Sequence, residues 1–279
     1  EACVDVYCNQ GDCPRRNQII VEQRNATESK GPALARHYVQ NLLLQHLDDA
    51  SSFCLGIDGH SIFTKDWDHY AIKDWHRTEN EMGILTTYVH DYNLHANIQA
   101  NGTNTPYPEV PYLCDVTVGT RDLPRNEGAT TVHQPTRPLL QSKWGAGFSF
   151  GKCHAEQRVR IPAQLDWVFD GEEHSRAALL WMAGYDFYAP SVTGQVVYHN
   201  YTENPTITEW NDNPQTEEDL EIGANRVKLM TDQPFSGRVS TRNLDWHGYP
   251  RVRDLQQYLD FTGIHNYENT SQWTHVCHR

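Results

Sequence analysis

Positive charge is scarce in this chain. Its 23 lysines and arginines stand against 36 aspartates and glutamates, a formal net charge of −13. A surface of that sign repels a phosphate backbone, which excludes non-specific nucleic-acid binding, and it offers no attraction to anionic lipid. An acidic protein that handles a phosphorylated substrate needs a cation to bridge the two. The sequence also lacks any apolar run of about 18 residues that would span a membrane and shows no signal peptide. It begins without an initiator Met, so it reads as a processed or partial product, with any membrane anchor expected outside it. The short Cys-x2-Cys spacing of zinc knuckles is missing, and so is any internal repeat.

What remains is ample for a folded protein. Hydrophobic residues make up 38% of 279, with 8 Trp and 14 Tyr, enough for a substantial core and aromatic-lined surfaces. Seven cysteines occur, at 3, 8, 13, 54, 114, 153 and 277, and disulfides are their expected use. The odd number leaves one thiol free or paired outside the chain. Asn25-Ala26-Thr27, Asn101-Gly102-Thr103, Asn200-Tyr201-Thr202 and Asn269-Thr270-Ser271 are N-glycosylation acceptors in form. Together with the cysteines they favour an oxidising secretory lumen, the Golgi or the cell surface.

Periodicity divides the chain into short alternating elements. Ile19-Ile20-Val21 is a strand candidate, and Ala33 to Leu47 suits an amphipathic helix. Strands are expected at 53–57, 83–89, 185–188 and 196–199, and helices from Trp67, over 175–183 and over 253–261. Gly184 is placed to end the second of these helices in a left-handed conformation. Such alternation favours an α/β sheet. The organisation read from it is a cysteine-rich segment at 1–18 and a core at 19–202 carrying a surface excursion over 90–140. A polar loop region with one short helix follows at 203–248, then a C-terminal helix and tail at 249–279 packed on the core.

Asp58-Gly59-His60 ends the apolar run Phe53-Cys54-Leu55-Gly56-Ile57. In an extended segment residues i and i+2 point the same way, so a carboxylate and an imidazole can face one ion. A surface turn is the plainer reading of the triplet. The glycines of Gly145-Ala146-Gly147-Phe148-Ser149-Phe150-Gly151 read equally as tight turns before a strand and as room for a substrate against the backbone.

Several ordered pieces resemble the polypeptide N-acetylglucosaminyltransferase-like family, which includes the Skp1 hydroxyproline transferases and mucin-type threonine transferases of protists. They are Gly31-Pro32-Ala33-Leu34-Ala35-Arg36, then Cys54 through His60 leading to Trp67-Asp68, then Gly145-Ala146-Gly147-Phe148. Gly171-Glu172-Glu173, Trp181 through Pro190, Val197-Tyr198-His199 and Tyr258 through Gly263 follow in the same order.

The resemblance implies a GT-A-like glycosyltransferase fold with a mostly parallel central sheet, a UDP-sugar donor and a divalent cation, Mn2+ in the usual case. It implies Asp58, His60 and His199 as metal ligands, and carboxylate and imidazole both suit that ion. It places Gly31, Arg36 and Asp58 at the donor. Glu172 and Glu173 fall in an acidic motif on the acceptor side, one of them orienting the sugar or the hydroxyl. A helix cap is the other reading of Glu173. Trp144 and Trp181 are pocket walls or core residues. The implied reaction is transfer of N-acetylglucosamine, with retention, to a protein or glycan hydroxyl.

The departure is at the front. Relatives carry two strands before the equivalent of Ile19 that supply much of the uridine pocket, whereas 18 residues precede it here. The expectation is that an upstream segment, or a partner chain, completes the sheet. A non-catalytic glycosyltransferase-like subunit or structural surface glycoprotein is the alternative. A non-haem iron oxygenase fits poorly, since such a site uses two histidines and a carboxylate in the order His-x-Asp on an all-β barrel.

Overall fold

Gly31 turns the chain at φ +102°, and Pro32 takes the first helical position, where a missing N–H leaves no bond unmade. The helix so begun, α1 (Pro32–His46), buries Ala33, Leu34 and Gln40. The computed structural model describes residues 15–95, 106–128, 130–201, 213–244, 251–265 and 270–271. After α1 come β1 (Phe53–Ile57), β2 (Ser61–Phe63), α2 (Trp67–His76), β3 (Gly83–Thr86) and β4 (His90–Asp91). Next are β5 (Glu109–Tyr112), β6 (Val116–Val118), β7 (Pro124–Asn126), β8 (Thr130–His133), β9 (Leu139–Gln141) and β10 (Phe148–Lys152). Then follow α3 (His154–Arg158), α4 (Glu172–Met182), β11 (Asp186–Ala189), β12 (Val197–His199), α5 (Glu217–Met230) and α6 (Leu255–Thr262).

The main sheet has the order β1-β10-β3-β11-β9. Side chains alternate across it as a pleat requires. Ile84 and its register partner Phe187 face a core built on α4, while Leu85 and its partner Phe150 face a second core built on α2. α4 is buried at every residue except Glu173, and Gly184 ends it at φ +98° as expected. The Cys54–Cys153 disulfide ties β1 to the end of β10. Cys114 is also disulfide-bonded. Cys3, Cys8, Cys13 and Cys277 lie outside the described residues, as do the acceptors at Asn101 and Asn269.

Three expectations are corrected. The sheet is not mostly parallel among the described strands: only β3–β11 is, and the other three pairings are antiparallel. β10 returns between β1 and β3, and β9 pairs antiparallel with β11. The chain between the two parallel strands β3 and β11 contains α4. Ile19-Ile20-Val21 forms no strand, and Ile20 and Val21 lie about half exposed. The 90–140 segment is not only a surface excursion, because Val110, Tyr112, Leu113, Val116 and Leu123 are buried and β9 closes the main sheet. The one helix expected within 203–248 is α5, 14 residues long, started by a reciprocal Thr216–Asp219 capping box and buried along Ala224, Val227 and Met230.

Candidate active site

A smaller sheet, β2-β12-β4, sits beyond the end of β1. Asp58 directly follows β1 and His60 directly precedes β2. His60 holds a left-handed backbone, φ +59°, so Asp58 and His60 are not consecutive pointers on one extended strand. His199 ends β12 opposite Ser61, and the main-chain N–H of Asn200 donates to His60 O at 3.0 Å. The pairing brings the two imidazoles to a ring-centre distance of 6.2 Å, edge to face. His199 Nδ1 is buried with no hydrogen-bond partner. The structure thus gathers Asp58, His60 and His199 at the same sheet junction. Among the described residues, however, no three His, Cys, Asp or Glu side chains converge closely enough to hold an ion.

Asp58 is engaged by Arg36. Its Oδ1 takes an ion pair from the guanidinium, whose Nε lies 2.9 Å from Glu172 Oε1. Burial alone would lower the Arg36 pKa, but Glu172 and Asp58 outweigh it and hold it above the ordinary guanidinium value. Glu172, 9% exposed at its side chain, is pushed up to about 7, first by burial and then by Glu173 and Asp58, with Arg36 opposing. One guanidinium therefore serves two carboxylates from α1, and Gly31 sets the position of that helix.

Glu173 is locked differently. Its Oε2 accepts from Tyr88 Oη at 2.5 Å and Asn126 Nδ2 at 3.0 Å, and its Oε1 from Ala146 N at 2.8 Å. Burial raises its pKa, and the bonds from Tyr88 and Ala146 pull it back. Burial and Glu173 together hold the Tyr88 hydroxyl protonated well above the usual phenol range. Glu173 is thus neither a free base nor a simple helix cap: it fixes the turn before β10.

In that turn the two readings of the glycines separate. A Cβ on residue 145 would meet Thr87 O and a Leu113 methyl at 3.1 Å, so Gly145 answers a packing demand. A Cβ on residue 147 would sit 3.4 Å from Asp58 Oδ2, so Gly147 opens the backbone toward the cleft. Trp181 packs in the core against Tyr258 and Phe261, whereas Trp144 walls a cavity.

Asp58, Arg36, Glu172, Glu173, Gly147 and Tyr201 line a cleft of about 380 Å³. A second cavity, about 410 Å³, lies between α1 and β1 and shares Arg36 and Asp58 with it. Both volumes suit a small-molecule ligand. Tyr88, Asn126, Arg125 and Tyr201 escape sequence reasoning. Tyr88 falls within the strand expected at 83–89, and Arg125 and Asn126 lie on β7, but nothing in the sequence marks them as site residues and only the fold assembles them.

The sequence matches the family described as glycosyltransferase (GlcNAc) over residues 6–268. The chain belongs to this glycosyltransferase (GlcNAc) family. None of the curated proteins matches it. Its fold is similar to the crystal structure of GalNAc-T7 with UDP, GalNAc and Mn2+, at a TM-score of 0.50 and 12% sequence identity. The likeness covers 93% of this chain and 45% of that one, and it shows the α/β, GT-A-like fold.

The family resemblance implies a divalent cation, and the donor set bears on it. One carboxylate and two imidazoles stand at the junction of two sheets, and a buried ring nitrogen of His199 lacks a partner. In donor type these residues fit such an ion, although their side chains do not converge closely enough to hold one as they stand.

Proposed function

We propose that this glycosyltransferase moves a sugar, N-acetylglucosamine, from a UDP-sugar to a hydroxyl of a polypeptide (threonine, serine or hydroxyproline) or of a glycan, with retention. The observation that carries the reading is the cleft shared by Asp58, Arg36, Glu172 and Glu173, at the junction where His60 and His199 also stand.

Asp58, His60 and His199 would hold a divalent cation, Mn2+ for choice. When bound, it would offset charge on the departing diphosphate. Arg36, already balanced between two carboxylates, supplies a second positive group on the donor side. Glu172, with a pKa near 7, is a carboxyl able to accept or donate a hydrogen bond to a sugar or acceptor hydroxyl at neutral pH. Glu173, through Ala146 N, holds the Gly145–Phe148 turn against the cleft.

The sheet supports the expected upstream strands. β1 pairs with β10 alone among the described strands, and the cavity beside it is lined by Leu55, Ile57, Val39 and Leu43. A further strand supplied from upstream or by a partner would cover that edge. No helix among the described residues is long and apolar enough to cross a membrane. The disulfides support a place in the secretory lumen, in the Golgi or at the cell surface.

A second reading, a non-catalytic glycosyltransferase-like subunit, draws on the incomplete convergence of the three ligands. Titration calorimetry of UDP with and without Mn2+, on this chain and on Asp58→Ala, separates the two. The transferase reading expects Mn2+-dependent binding that weakens at least about tenfold in the variant. Binding that ignores both the metal and Asp58 would overturn the ligand assignment, and no binding at all would favour the subunit.

A further inference from the structure

A third cavity, about 490 Å³, lies on the α5 side of the cleft. Its walls come from Thr120 and Leu123 next to β6 and β7, from the 167–170 loop, and from Gln215 and Leu220 at the start of α5. It adjoins the cleft, because Arg125, Phe169 and Asp170 line both.

Phe169 is the unusual residue. Trp167 takes a left-handed backbone at φ +61° and is buried, and two residues later the Phe169 ring is 56% exposed at the seam between the two cavities. A phenyl ring left in water at such a place loses favourable burial until a ligand covers it. The Arg125 guanidinium lies 6.0 Å from the ring centre. Phe169 is also tied to the acidic pair, since its carbonyl accepts from Glu172 N at 3.3 Å.

The wall around the ring is rigid. Asp170 Oδ2 accepts from Thr120 N at 2.6 Å and from Thr120 Oγ1 at 2.8 Å, which joins the loop to the β6–β7 unit.

We propose that this cavity reads the acceptor polypeptide beside the reacting hydroxyl, with an apolar ring side chain seated on Phe169. The inference rests on the transferase reading and adds the residues that set acceptor preference. The geometry favours a peptide because Phe169 adjoins Glu172 through one main-chain bond. A chain whose hydroxyl lies at the acidic pair passes over the ring within a residue or two of it, at about 3.3 Å per residue.

The test is equilibrium binding of two dye-labelled threonine peptides, alike except for a tyrosine or a serine two positions from the threonine, in the presence of UDP and Mn2+. Unaltered protein is expected to bind the tyrosine peptide about tenfold more tightly. Phe169→Ala, at an exposed site that the fold does not need, is expected to bring the two peptides within about twofold of each other while UDP affinity holds. Leu220→Trp, which fills the cavity from α5, is expected to do the same. Equal affinities in the unaltered protein, a preference that survives both substitutions, or a loss of UDP affinity in Phe169→Ala would overturn the proposal. The last outcome would give the ring to the nucleotide. If the unaltered chain fails to bind UDP at all, the transferase reading falls first and this inference with it.

Discussion

Glu173 Oε1 accepts a hydrogen bond from the main-chain N–H of Ala146 at 2.8 Å, joining the first turn of α4 to the turn that leads into β10. Tyr88 and Asn126 donate to its other oxygen. One carboxylate therefore holds three segments that are distant in sequence. Glu173→Ala leaves all three donors without their acceptor and is expected to cost about 3 kcal/mol, with Glu173→Gln costing less because an amide oxygen still accepts. Urea unfolding of both variants measures it. Equal stability of Glu173→Ala and the unaltered protein would show that the bonds are replaced by water.

Arg36 gives a pH-dependent prediction. Glu172 titrates near 7 in the folded chain against an ordinary 4.5, so between those values the folded state binds the additional proton. Its contribution to stability therefore declines as pH rises from about 4.5 to about 7. Arg36→Met removes the cation shared by Asp58 and Glu172 and steepens that decline. The expected loss is about 3–5 kcal/mol at pH 8, where a buried carboxylate is left unpaired, and less than half of that near pH 5. Chemical denaturation at the two pH values is the measurement, and a loss independent of pH would refute the coupling.

His174 acts in the opposite sense. Burial, and then the nearby Lys143, lowers its pKa to about 3, and neither ring nitrogen has a partner. Between about 3 and the ordinary 6.5 the unfolded chain binds the proton that the folded chain refuses, so stability is lost as pH falls through that window. His174→Leu should be as stable as the unaltered protein at neutral pH, or up to about 2 kcal/mol more so, because a buried unpaired polar ring is gone. Its acid unfolding should set in at lower pH. Thermal melts across pH 4 to 7 decide it, and parallel curves would remove His174 from the account.

The Cys54–Cys153 bond closes a separation of 99 residues between β1 and the end of β10. Replacing both cysteines by serine is expected to lower stability by about 2–4 kcal/mol, because the unfolded chain regains the freedom of a long loop. Calorimetric unfolding of the double variant checks this, and an unchanged melting temperature would mean that the strand pairing alone holds the junction.

The legible part of the fold is the part governed by local pattern. The helix from Ala33, the apolar run before Asp58, Gly184 at the end of α4 and the helical spacing over 253–261 each act through bonds a few residues long, and all four are observed, the first from Pro32 and the last over 255–262. The motif from Asp58 to His60 was also readable, but its geometry was not. Extended pleating predicts two side chains on one face, whereas the left-handed backbone of His60 and the pairing with β12 decide where the imidazole stands.

Sequence by itself determined the class of the fold, the longer helices, the strands β1, β3, β11 and β12, and the glycosyltransferase family, because propensity, capping and ordered motifs are local quantities. Tertiary structure decided everything that depends on pairing across long separations. It made three of the four main-sheet pairings antiparallel, since β10 inserts between β1 and β3 and β9 returns along β11. It turned Glu173 into an anchor for Tyr88, Asn126 and Ala146, and gave Arg36 to both Asp58 and Glu172. It brought Phe169 out beside the cleft. Those are contacts between residues tens of positions apart, and hydrogen bonding and desolvation at such contacts exist only once the chain has closed on itself.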